Sequence, residues 1–235
     1  MNSLEERYDI KTAAAWILGH ARRAEVPGLP PSVREKTADE CSEEELLQTV
    51  AVGQAAGLKL YPFKLGTQML ARTRRTLGFL HSVSFETLLD IGSGRGVFLI
   101  PFMKEFPWVT VTGLDLLERR VTFLNELAEG GFRQLRAMQK NICDQPYPDG
   151  SFDVVTALEV LEHIPDVERA VTAAVKMAKQ YVVVTVPSKP DNNPEHIHLL
   201  TKDRLTQLFG EAGCDRLHFD GVEGHLFMIA TIGGR

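Results

Sequence analysis

The sequence predicts an α/β fold, a doubly wound and largely parallel seven-stranded sheet behind a helical appendage. Three observations carry this: short β-rich runs alternate with helical stretches after Ser84, a glycine-rich turn follows the first run, and the chain ends in a candidate hairpin. At 235 residues, with 44% hydrophobic and 24% charged, the chain can bury a full core. The expected division is an appendage over residues 1–83 and a ligand-binding domain over residues 84–235.

In the appendage, Leu4, Tyr8, Ala14, Ile17, Leu18 and Ala21 recur at helical spacing and predict an amphipathic helix from Ser3 to about Ala24, stopped by Pro27, Gly28, Pro30 and Pro31. Ser42 followed by Glu45 is a capping-box pattern, in which hydroxyl and carboxylate satisfy orphan backbone donors, and it opens a helix from about Glu43 to Ala56. A third helix is expected from Pro62 to Leu80. It carries the basic run Arg72, Arg74 and Arg75, with Lys59 and Lys64 nearby. That run reads as a solvated face or, alternatively, as a contact for an anionic acceptor or a nucleic acid.

The strands are expected at Thr87–Ile91, Val109–Leu114, about Gln134–Gln139, Phe152–Ala157 and Tyr181–Val186. Most are nearly continuous in apolar and β-branched residues, as strands covered on both faces should be. Thr201 to Ala212 then reads as a helix stopped by Gly213. Asp215–Phe219 and Leu226–Thr231 read as two terminal strands joined by a turn between Gly221 and Gly224.

A formal net charge of -5 argues against a domain built to coat a phosphate backbone, so nucleic acid is not the expected partner, although the local Arg72–Arg75 patch leaves that reading open. Cys41, Cys143 and Cys214 lie far apart and form no CxxC pair, which suggests neither a disulfide framework nor a thiolate metal site. Residues Met1 to His20 carry several charges and no uninterrupted apolar stretch. They read as neither signal peptide nor membrane span, and the expected compartment is the cytoplasm.

Asp90-Ile91-Gly92-Ser93-Gly94-Arg95-Gly96 closes the first strand and opens a helical stretch. Glycines there let the chain turn tightly and bring backbone N–H groups close to a ligand at the carboxyl edge of the sheet. The spacing is GxGxG, not GxGxxG, and Asp90 would repel a pyrophosphate, so a cofactor with a cationic amino-acid end fits better than a dinucleotide. Asp115 lies about twenty residues on, at the end of the second strand, where a carboxylate can accept hydrogen bonds from ribose hydroxyls. Its alternatives are a solvated strand end or a helix cap ahead of Glu118.

With these residues in this order the sequence resembles the class I S-adenosylmethionine (SAM)-dependent methyltransferases, over about residues 84 to 231. Two further segments carry the resemblance. Asn141 to Asp153 matches a stretch that in the family holds an adenine-binding acid, here replaced by Asn141 with Asp144 as a rival. Leu158-Glu159-Val160-Leu161-Glu162-His163-Ile164-Pro165 is similar to the segment after the fourth strand in ubiquinone-biosynthesis-type methyltransferases. The resemblance implies a Rossmann-like fold with an antiparallel C-terminal strand, SAM as cofactor and S-adenosylhomocysteine (SAH) as product. It implies cofactor contacts from Asp90, Gly92, Gly94, Gly96, Asp115, Leu116, Asn141, Ile142 and Glu159. A small-molecule acceptor is expected, with the appendage as a lid. An RNA or protein methyltransferase and a non-catalytic SAM-binding module are the alternatives.

Glu159, Glu162 and His163 are spaced three and four apart and would share one face of a helical turn, as pocket lining or as a packing cluster. His196 and His198 alternate along an extended segment after the proline-rich loop 187–194 and would point the same way. His196, with His163, is the candidate catalytic group, as an acceptor-orienting residue or general base; the alternative is that it anchors the loop. Together these groups faintly resemble the two-Glu, two-His metal site of small-RNA ribose methyltransferases, but the spacing is not diagnostic and no metal is expected.

Overall fold

The computed structural model describes residues 9–63, 69–190 and 192–233. The expected helix start at Ser3 to Tyr8, Lys64 and Asp191 lie outside these. Within them the chain divides into two compact units, Met1–Met69 with Gly94–Pro107 and Leu117–Ala137, and Leu70–Ser93 with Trp108–Leu116 and Met138–Arg235.

In the first unit α1 (Ile10–Ala21) starts at Asp9, whose carboxylate accepts from the Thr12 N–H. After the short α2 (Pro31–Arg34), α3 (Glu43–Ala55) begins at the capping box of Ser42 and Glu45, with both reciprocal bonds made. Helices α5 (Leu99–Glu105) and α6 (Glu118–Glu129) belong to the same unit. Helix α1 lies so close to α6 that a Cβ on Gly19 would sit 1.7 Å from the Glu126 carbonyl oxygen, and one on Gly130 would sit 1.6 Å from that of Ala15. Beside this contact the buried Glu126 carboxylate accepts from the Trp16 indole N–H at 2.8 Å and meets His20 Nδ1 at 2.9 Å. A buried carboxylate needs such partners, because desolvation otherwise penalises it heavily.

The expected third helix is shorter than its sequence suggests. Tyr61–Phe63 forms a single 3-10 turn, Leu70 is extended, and α4 runs only from Ala71 to Leu80. Leu70 offers no side-chain cap, and Arg75 turns to Asp220 at 2.7 Å and lies over the Phe227 ring, so part of the basic run ties α4 to the C-terminal hairpin.

Seven strands, β1 (Thr87–Ile91), β2 (Thr110–Asp115), β3 (Leu135–Gln139), β4 (Phe152–Leu158), β5 (Ala178–Pro187), β6 (Leu217–Val222) and β7 (His225–Thr231), form one sheet in the order β3-β2-β1-β4-β5-β7-β6. Six run one way and β7 runs against them. The sheet is thus doubly wound with an antiparallel C-terminal strand, as expected. In the second unit α7 (Val167–Met177) buries Val167, Ala170, Val171 and Ala174, and α8 (Lys202–Glu211) buries Leu205, Leu208 and Phe209. These join Leu89, Ile91, Val155, Val182 and Val184 of the strands in one apolar core. Asp153 braces the start of the sheet, accepting from the Glu86 and Thr87 N–H groups and the Thr87 hydroxyl.

Strand order reverses between β1 and β4, and in open α/β sheets the crevice at such a switch is where ligands bind.

Candidate active site

The site grows out of the carboxyl end of β1. Gly92, Gly94 and Gly96 all have positive φ, +68°, +58° and +75°, a backbone region that side chains disfavour. The Gly92 and Ser93 N–H groups both donate to the Leu114 carbonyl on β2, which fixes the turn against the neighbouring strand. A Cβ on Gly92 would lie 2.4 Å from Val160 Cγ2, so the turn and the segment after β4 come together across the switch point.

Asp90 faces Thr156 in the β1–β4 register and accepts its hydroxyl proton at 2.6 Å. At 3% exposure, burial pushes its carboxyl up to about 7, opposed by the Thr156 and Ser93 hydrogen bonds and reinforced by the nearby Asp115. Asp115 is buried at the end of β2, and Leu116 beside it is exposed, with its carbonyl receiving the Gln139 amide. The cap of α6 is Leu117, so Asp115 is not the helix cap. Asn141 opens a 3-10 turn, Ile142–Asp144, and its side-chain oxygen accepts from the Cys143 N–H at 3.0 Å. The Ile142 side chain enters the apolar core, and Asp144 points outward toward Arg169.

Glu159 corrects an expectation. It does not share a helical face with Glu162 and His163, because its φ is +58° and the turn Leu161–His163 begins only after it. Its Oε2 pairs with His225 Nε2 at 3.0 Å, while its Oε1 is buried without a hydrogen-bond partner. Glu162 is fully buried and lies instead with His163 and His196; the three donor atoms fall within 4.8 Å of one another. His163 Nδ1 meets the Glu195 carbonyl at 2.8 Å, and its ring meets that of His196 edge-on. His196 and His198 also part company: His198 Nε2 contacts the Ile164 carbonyl at 3.0 Å and anchors the loop.

Sequence reasoning missed Thr156 and His225. The first was accessible in principle, since a parallel β1–β4 register sets a hydroxyl opposite Asp90. The second comes from β7, placed beside Pro187 by antiparallel pairing that no local pattern announces.

The geometry fits SAM. The glycine turn takes a backbone conformation that side chains disfavour, Asp90 and Asp115 are buried at the ends of β1 and β2, and a buried Glu159 oxygen lacks a partner. The acids suit a cofactor with a cationic end, and the glycines permit its close approach.

Fold and site define a class I methyltransferase domain. Residues 64–218 match the family of that description, "Methyltransferase domain", and the chain belongs to it. It is 40% identical over 96 residues to the 27-O-demethylrifamycin SV methyltransferase of Amycolatopsis mediterranei, a stretch covering 40% of this chain and 35% of that protein. It is 33% identical over 100 residues to the ubiquinone biosynthesis O-methyltransferase of Pseudomonas entomophila, covering 42% of each. The matched stretches thus span well under half of these relatives' length. A SAM-dependent methyltransferase from Aquifex aeolicus shares the fold, with a TM-score of 0.57 at 18% identity over 70% of this chain and 92% of that one. No helix among the described residues is long and apolar enough to cross a membrane.

Proposed function

We propose that this protein transfers a methyl group from SAM to a hydroxyl-bearing small molecule. The observation that carries the reading is the positive-φ glycine turn at the β1–β4 switch with Asp90 buried beneath it. When bound, SAM supplies an electrophilic methyl group on a sulfonium, so the protein's task is to align, to exclude water and to handle one proton. In this reading Gly92, Gly94 and Gly96 admit the cofactor's backbone contacts, and Asp90 and Glu159 meet its cationic amino-acid end. Asp115 takes the ribose hydroxyls, Leu116 covers the adenine, and Asn141 with the Ile142 backbone borders its edge. His196, backed by His163, orients the acceptor or takes its proton.

The small-molecule, oxygen-centred acceptor rests on the relatives' own substrates, as their names give them. Calorimetry with SAH tests the cofactor half, and methyl transfer from labelled SAM to a panel of hydroxylated aromatics tests the acceptor half. Absence of SAH binding would overturn the reading.

A second reading follows from one specific arrangement, the Glu162, His163 and His196 donor group. Those residues could hold a divalent cation that lowers the pKa of an acceptor hydroxyl, as in metal-assisted transfer to a ribose of RNA. Loss of transfer on chelation, restored by Mg²⁺ or Mn²⁺, would favour it.

A further inference from the structure

The segment after β4 holds Glu159 in an unusual state. A non-glycine residue at φ +58° carries a backbone cost of about 1–3 kcal/mol, which surrounding structure must offset. The offset is visible. The Glu159 N–H donates to the Thr185 carbonyl at 2.9 Å, and Oε2 meets His225 Nε2. His225 is itself fixed at its other nitrogen, where Nδ1 contacts the Glu223 carbonyl at 2.9 Å. The hairpin turn that carries it is stapled to the loop after β5, because the Ser188 N–H and hydroxyl both donate to the Gly224 carbonyl, at 3.0 and 2.8 Å. Glu159 is therefore fixed at its backbone by β5 and at its carboxylate by β7, whose turn is held by the loop after β5.

The chain on either side of Glu159 borders the crevice. Val160, its neighbour, would be struck by a Cβ on Gly92, and Ala157, two residues before it, pairs with Ile91 of β1. Side-chain exposures of 18% for Glu159 and 25% for His225 leave the pair partly exposed. Glu159 Oε1 and the hydroxyl of Thr185 are both buried without hydrogen-bond partners, and unsatisfied groups of this kind are costly enough to call for a functional reason.

We propose that His225 is a positioning residue for the cofactor site, holding the Glu159 carboxylate beside the β1–β4 crevice so that its charge meets the cationic amino-acid end of the cofactor. The inference rests on reading the crevice as a SAM site. Its chemistry is that of an imidazole orienting a functional carboxylate: the ring removes rotamer freedom from Glu159 before the ligand arrives, so less entropy is lost on binding. The C-terminal hairpin, which contributes no residue to the glycine loop, thereby becomes part of the cofactor site.

The test is calorimetry of SAH and SAM against wild type, Glu159→Gln, His225→Leu and His225→Gln, with thermal melting of each. Glu159→Gln and His225→Leu should each weaken SAH about tenfold, whereas His225→Gln, whose amide N–H still donates to Oε2, should stay within about threefold of wild type. Wild-type affinity in His225→Leu would overturn the proposal. So would equal losses in both His225 variants tracking a lower melting temperature, which would mark the residue as merely structural. If His225→Leu does not fold, Glu159→Gln decides: undiminished affinity there overturns the proposal. A wild-type protein that binds neither ligand would instead overturn the SAM reading itself.

Discussion

The Thr156 hydroxyl donates to the Asp90 carboxylate at 2.6 Å across the parallel β1–β4 pair, at positions that face each other in register. This bond supports an acid that burial would otherwise keep neutral, with its carboxyl pushed up from 3.8 to about 7. A pKa raised on folding contributes stability that is fully present below the unfolded value and is lost as pH rises through the folded one. For Asp90 that window runs from about 4 to about 7. Asp90→Asn should therefore flatten the fall in melting temperature over this range and stabilise the ligand-free protein at pH 8. An unchanged profile in the variant would show that Asp90 is not the titrating group.

The same residue sets an expectation for binding. If the ionised Asp90 meets the ligand ammonium, SAH affinity should rise about tenfold between pH 6 and pH 8, as ionisation through about 7 proceeds, and the rise should vanish in Asp90→Asn. Calorimetry at the two pH values measures it. Equal affinities in wild type would detach Asp90 from the ligand.

At Gly92 two constraints coincide, a φ of +68° and the 2.4 Å approach of a Cβ to Val160. Gly92→Val should abolish SAH binding, because the β-branched side chain both disfavours the turn and displaces the segment that carries Glu159. Circular dichroism establishes that the variant is folded. A folded variant with wild-type affinity would mean that the turn is not the cofactor cradle.

These sites differ in how far the sequence foretold them. The glycine turn and the strands around it are local signals, continuous in sequence, and the structure places Thr87–Ile91 as read. The helix expected from Pro62 to Leu80 is found as α4 only from Ala71, because Leu70 just before it is extended. The spacing of Glu159 predicts a helical face that the structure does not keep, because spacing carries no information on the sign of φ. The Glu159–His225 pair joins residues far apart in the chain and depends on the β5–β7 register, which only the assembled sheet defines. The same holds for Glu126, whose partners Trp16 and His20 come from the other end of the first unit's sequence.

The α1–α6 contact offers a stability test with its own controls. Gly19→Ala and Gly130→Ala place a methyl group into backbone carbonyls, which cannot move aside as a side-chain tip can. Each should cost at least about 2–3 kcal/mol. Gly78→Ala in α4 and Gly210→Ala in α8 meet nothing within 4 Å and should instead gain about 0.5–1 kcal/mol from helix propensity. Denaturant melts separate the two pairs. Similar small effects at all four positions would show that α1 and α6 are not in such close contact.

The proposed acceptor role of His196 can be tested directly. Its ring packs edge-on against His163, which is held by the Glu195 carbonyl, and the ligand atoms of both lie within 4.8 Å of one on the buried Glu162. An imidazole nitrogen can accept a proton from a hydroxyl that is brought within hydrogen-bond reach. His196→Ala should lower turnover at least about tenfold, roughly 1.4 kcal/mol of barrier, with SAH affinity nearly unchanged, since the proposed role lies with the acceptor and not the cofactor. Wild-type turnover in the variant across the pH range would remove His196 from the reaction. The same assay with a chelator separates the two roles that the cluster could serve. Turnover that survives chelation in wild type and falls in His196→Ala assigns the work to the imidazole. Turnover that vanishes on chelation and returns with Mg²⁺ or Mn²⁺ assigns it to a cation held by Glu162, His163 and His196, and His196→Ala should then also weaken the metal dependence.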